Sequence, residues 1–118
     1  MKQKAVNLTE KLTLFSEHWS PKIVATYNGN EVMVAKLEGE YHWHKHEDTD
    51  DFFYVVSGHI VLETEDGNVE MGPGDLYVVP KGVMHRPVAE KEAQIMLIEP
   101  KGEPNSGDPA TAAKKVWI

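Results

Sequence analysis

The chain has 118 residues, no cysteine and a formal net charge of -7. That length suits one domain, 1–118, able to bury a hydrophobic core without staples. Lack of cysteine removes disulfides, thiolate-held zinc, iron–sulfur clusters and cysteine nucleophiles. The negative charge argues against nucleic acid and anionic membrane surfaces, which are both bound through lysine and arginine.

No apolar run approaches the roughly 20 residues of a membrane span. The opening stretch, Met1 to Asn7, lacks the apolar core of a secretion signal. A soluble, cytoplasmic protein is the expectation.

Asn7-Leu8-Thr9-Glu10 resembles a helix start, with Asn7 as cap and Glu10 three residues on. Leu8, Leu12 and Phe15 follow at helical spacing, which predicts a short helix over 7–15, and Ser20-Pro21 stops any continuation. From Lys22 the apolar period becomes two. Ile23–Tyr27 and Glu31–Leu37 flank Asn28-Gly29, a strong hairpin signal.

Further strands are expected at Phe52–Val56, His59–Thr64, Val69–Met71, Leu76–Val79 and Gln94–Glu99, separated by Gly and Pro turns. So many short strands at near-regular spacing indicate an all-β antiparallel sandwich or barrel, with its core over about 22–100. Residues 101–109 read as a loop, and the tail 101–118 ends in Val116-Trp117-Ile118. That end is apolar enough to pack on its own barrel or on a second subunit.

Within this pattern His44-Lys45-His46 stands out, followed by Glu47, Asp48, Asp50 and Asp51, with His85 far downstream. On a strand, alternate side chains share a face, so His44 and His46 would project together. Paired imidazoles with carboxylates close behind suit a divalent metal. Asp51, five residues after His46, is placed for a turn that returns the chain beside the histidines. His85 follows the rigid turn Pro80-Lys81-Gly82. The four can converge from neighbouring strands.

Here the residues resemble a family, the small single-domain cupins of the cupin 2 conserved-barrel type. Cupins carry two motifs, G-x5-H-x-H-x(3,4)-E-x6-G and G-x5-P-x-G-x2-H-x3-N. Gly74, Pro80, Gly82 and His85 match the second, with Ala89 in place of its final Asn. His44, His46 and Gly58 match the first, while Gly39 lies one residue too close and Asp51 stands where the family has Glu. The resemblance implies a double-stranded β-helix, the jelly-roll barrel, behind the short N-terminal helix.

It also implies metal ligation by His44, His46, Asp51 and His85. Asp51 is one methylene shorter than the family's glutamate, which shortens its reach toward the metal; without it the set is three histidines. The cofactor would be one divalent transition metal (Fe, Mn, Ni, Co, Cu or Zn), since three nitrogens and an oxygen suit all of them.

His42 shares parity with the pair and can face the barrel mouth, a surface position beside Tyr41 and Trp43 being the simpler reading. Phe53 and Val55 share parity with Asp51, and with Met33 and Met96 are candidates to line the pocket. Arg86 is expected to face outward in a salt bridge. No nucleophile elbow or phosphate loop is present.

The expected partner is a small molecule, bound in one of two ways. The chain is either a metal-dependent enzyme of dioxygenase or isomerase/lyase type, or a non-catalytic metal- and ligand-binding module. A sugar-isomerase-like role rests on fold analogy alone. A homodimer is expected, because exposed sheet edges need covering.

Overall fold

The structure, a computed structural model, describes residues 4–118. The first three residues of the stretch read for a secretion signal therefore lie outside the described residues. Among the described residues no helix is long and apolar enough to cross a membrane.

The chain opens with α1 (Leu8–Leu12), capped by Asn7, whose side-chain oxygen accepts from the Glu10 amide at 2.9 Å. The helix is shorter than its apolar spacing predicts. Thr13 and Leu14 donate three residues back, to Glu10 and Lys11, and so close the last turn. Leu12 is buried against Val24 and Val34, and Leu8 and Phe15 pack on the same cluster. The helical stripe is therefore satisfied although Phe15 lies beyond the helix.

Strands β1 (Lys22–Tyr27) and β2 (Asn30–Glu40) form the expected hairpin. Asn28 and Gly29 both have positive φ, 48° and 77°, the conformation that a two-residue turn between twisted strands requires. Strands β3 (Asp51–Ser57), β4 (Ile60–Thr64), β5 (Gly67–Met71) and β6 (Leu76–Val79) follow within a residue or two of expectation.

The seventh strand, β7 (His85–Pro100), is 16 residues long, against the six read at Gln94–Glu99. Pro87 and the charged run Glu90-Lys91-Glu92 hide its first half, yet His85, Pro87, Ala89 and Ala93 are all buried. This strand organises the fold. It pairs with β2 along one edge, and along the other with β4 near its start and β3 near its end.

With the short β8 (Val116–Trp117), the sheet follows β5-β4-β7-β2-β1-β8, while β3 branches from β7 and carries β6 on its other edge. It wraps into a sandwich, and the backbone ladder does not close into the barrel expected. Inward residues such as Met33, Val55, Leu62 and Ile95 fill the interior. The tail ends in β8 (Val116–Trp117), which pairs parallel to this chain's own β1, and Ile118 packs beside the helix.

Candidate metal centre

Period-two alternation places the four candidate residues, with one local change from expectation. Residues 41–50 do not form a strand. His44 makes an isolated bridge to His85, donating its amide to the His85 carbonyl at 3.0 Å and accepting from the His85 amide at 2.8 Å. The segment is extended enough to preserve parity, so His44 and His46 are buried while Lys45 is exposed. The bend over 47–50 then starts β3 at Asp51, and the ladder that holds His44 brings His85 opposite.

His44, His46, Asp51 and His85 are all buried, and one possible ligand atom from each lies within 4.8 Å of the others. Asp51 Oδ2 stands 2.8 Å from His85 Nε2, 3.3 Å from His46 Nε2 and 4.0 Å from His44 Nε2. The aspartate therefore reaches the histidine nitrogens despite its shorter side chain.

The rings are oriented from behind. His44 Nδ1 faces the His42 carbonyl at 3.1 Å, His85 Nδ1 the Val83 carbonyl at 2.8 Å, and His46 Nδ1 the Glu103 carboxylate at 2.9 Å. Each of these partners is an acceptor, so each Nδ1 carries the hydrogen. In the neutral rings the three Nε2 lone pairs then point at one carboxylate oxygen. His46 Nε2 has no hydrogen-bond partner among the described residues.

Such a set of donors needs a cation or a proton at its centre. Ligands about 2.1 Å from a shared ion stand about 3.0–3.4 Å apart at right-angle or tetrahedral positions. His46 at 3.3 Å from Asp51 Oδ2 falls in that range, His85 at 2.8 Å lies just below it and His44 at 4.0 Å beyond it. Neutral imidazoles held through Nδ1 by carbonyls or carboxylates are the usual arrangement of metal-ligating histidine. The residues fit a divalent metal.

The electrostatics follow from the same contacts. Burial draws His44 down to about 4. Burial also disfavours charge on His46, but Asp51 and Glu103 outweigh it and hold this ring at about 9. For Asp51, burial favours the neutral acid, and the His46 and His85 contacts reverse that, keeping its carboxyl below the ordinary range.

A cavity of about 40 Å³ adjoins the cluster, with His44 and Asp51 in its wall beside Trp19, Leu37, Tyr41, Phe53 and Leu97. Space of that size holds about three waters.

Phe53 lines the cavity, and the other pocket candidates do not. Met33 and Val55 face inward as parity requires, but they sit where the interior is filled, both fully buried in the core. Met96 lies between the inward residues Ile95 and Leu97, so it points to the opposite face. His42 is exposed and stacks on Tyr41 with ring centroids 4.0 Å apart. Arg86 faces outward as expected, paired with Glu63 and Glu40 at 2.8 Å each.

The sequence reads 101–109 as a loop but does not reveal Glu103's place behind His46, because a coil has no period that shows what it covers. Ser106 in this loop is buried, and Asn105 donates to the Tyr41 hydroxyl at 3.2 Å. Glu99 is a different omission. It is 3% exposed, lines the cavity, and shares parity with the inward Ile95 and Leu97. The alternation of the last strand was enough to find it.

The pattern of the cupin domain matches residues 30–99. A solved cupin-2 domain protein from Shewanella frigidimarina shares 43% identity over 81% of this chain and 94% of its own, with a TM-score of 0.80. YdbB of Bacillus subtilis, itself uncharacterised, is 30% identical over 64% of this chain and 77% of its own length. A Saccharolobus solfataricus protein, SSO1533, provisionally described as a dioxygenase, is 30% identical over 79% of this chain, which spans only 25% of that relative. With more than half of its residues under the domain pattern and the same sandwich in a solved relative, the chain belongs to the cupin-domain family.

Proposed function

We propose that the chain binds one divalent transition metal through His44, His46, Asp51 and His85 and uses it on a small molecule in the adjoining cavity. The enzyme would be of dioxygenase or isomerase/lyase type. One observation carries the reading. Three rings face acceptors through Nδ1 and bring their Nε2 atoms within 2.8–4.0 Å of a single buried carboxylate oxygen.

Three neutral imidazoles and one carboxylate leave a divalent ion with a net charge of +1, easier to bury than +2. When bound, such an ion supplies Lewis-acid polarisation of a ligand oxygen. The protein's part is to present the ligand atoms, to exclude water with the apolar wall of Trp19, Leu37, Phe53 and Leu97, and to keep His46 oriented through Glu103. The likeness to a relative provisionally described as a dioxygenase supports the oxidative version, within the short share of that protein that is matched.

The small cavity favours a second reading, a non-catalytic module that holds the metal and a ligand of few atoms. A ligand surviving purification, with no turnover of added substrates, would favour this version. We also read the assembly as a homodimer. Leu76 and Val78 are exposed on β6, which pairs only with β3 among the described residues.

Elemental analysis of the purified protein tests the central claim. One ion per chain is expected in the wild type, falling tenfold or more in His46→Ala. Undiminished stoichiometry in that variant would overturn the assignment.

A further inference from the structure

The cavity holds a carboxyl group that the metal reading does not use. Glu99 is 3% exposed and lines the same cavity as His44 and Asp51. Its Oε2 has no hydrogen-bond partner among the described residues. Lys115 Nζ stands 3.6 Å away, and this ammonium is shared: it lies 3.5 Å from Glu31 Oε1 and donates to the Glu103 carbonyl.

The charges around Glu99 come from every side. Glu31 is its partner across the β2–β7 ladder, Asp51 approaches from β3 and His46 from the bridge segment, and Lys115 and Glu103 come from the tail. Burial first, and then the charge of Asp51, push its carboxyl up to about 7. An unmatched polar oxygen beside a mostly apolar space costs stability. A buried carboxylate with one unpartnered oxygen in the wall of the cavity is placed to accept a proton from a ligand held there.

Resting on the metal reading above, we propose that Glu99 Oε2 is the base of this cavity and takes the hydroxyl proton of a small hydroxyl-bearing ligand. The ligand O–H bond breaks and a new O–H bond forms on Oε2. The bonding pair stays on the ligand oxygen, and a divalent ion held by His44, His46, Asp51 and His85 would offset its negative charge. Nothing is oxidised or reduced in the step. The assignment narrows the ligand class to small molecules with an acidic hydroxyl.

Proton counting tests this without any turnover. Acetohydroxamic acid, a small hydroxyl-bearing chelator, is titrated into the zinc-loaded chain at about pH 8 by calorimetry, in two buffers of different ionisation heat. The wild type is expected to release close to one proton fewer per bound probe than Glu99→Gln. The second readout needs no variant. Infrared difference spectra of the zinc-loaded wild type are expected to gain a protonated-carboxyl band when the probe binds.

Equal proton counts and no new band, with zinc and probe both bound, would overturn the role of Glu99 alone. A wild type that takes up no zinc would overturn this role together with the metal reading.

Discussion

His46 Nδ1 lies 2.9 Å from Glu103 Oε2, which joins a motif histidine to a loop 57 residues further along the chain. This contact decides which nitrogen of His46 faces Asp51. Glu103 is only part-buried, so its loss spares the core. Glu103→Ala is expected to weaken metal binding about 10–100-fold, the usual effect of removing a partner behind a ligand. Competition with a chromophoric chelator measures it, with circular dichroism unchanged. Full affinity in the variant would mean that the ring is held by other means.

Acid–base behaviour gives a second prediction. In the metal-free chain His46 keeps its proton up to about pH 9, against about 6.5 when unfolded. Between those values the folded state binds more protons, so this contribution is complete below about 6.5 and is lost as pH rises to 9. His44, held at about 4, acts the other way and raises stability as pH climbs from 4 to about 6.5. Glu99, raised to about 7, opposes His44 over much of that range. The melting temperature of the metal-free protein should therefore fall between about pH 6.5 and 9. Zinc should flatten that slope, since Nε2 then holds the ion instead of a proton. A slope that persists in His46→Ala would assign it to another group.

Gly107 allows the tail loop to lie against the histidine segment. Its φ is +76°, and a Cβ there would overlap the Lys45 carbonyl oxygen. Gly107→Ala is expected to displace the loop, at a cost of about 1–3 kcal/mol. Metal affinity should drop about tenfold as Glu103 moves away. Urea unfolding and chelator competition report the two effects separately, and a variant with wild-type values in both would show that the loop has room to adjust.

Leu12 tests the helix as a cover. It is 1% exposed and packs on Val24 and Val34, on the side of β1 and β2 away from the inward residues Ile23 and Met33. Leu12→Ala should destabilise the chain by about 2–5 kcal/mol in urea unfolding, while metal stoichiometry stays at the wild-type level. Loss of metal in that variant would tie the helix to the centre in a way that the packing does not suggest.

The sequence made the sandwich legible wherever local chemistry dictates conformation. Asn28-Gly29 announces its hairpin because few other pairs adopt two positive φ values in succession. Alternation over Phe52–Val56 and Leu76–Val79 marks which side chains turn inward. The His44, His46, Asp51 and His85 set was legible through its motifs, and the structure gathers those residues.

Long-range pairing was less visible. The first half of β7 carries Pro87 and three consecutive charges, so propensity speaks against a strand that its neighbours β2 and β4 impose. Parity identifies a face but not a depth along it. Met33 and Val55 therefore point inward yet miss the cavity. Glu103 could be found only by knowing where a coil returns.

All four histidine and aspartate donors precede the loop that carries Glu103 and Ser106. β7, which carries His85, ends at Pro100, three residues before Glu103, so one stretch of chain supplies both the last donor and the carboxylate that orients His46.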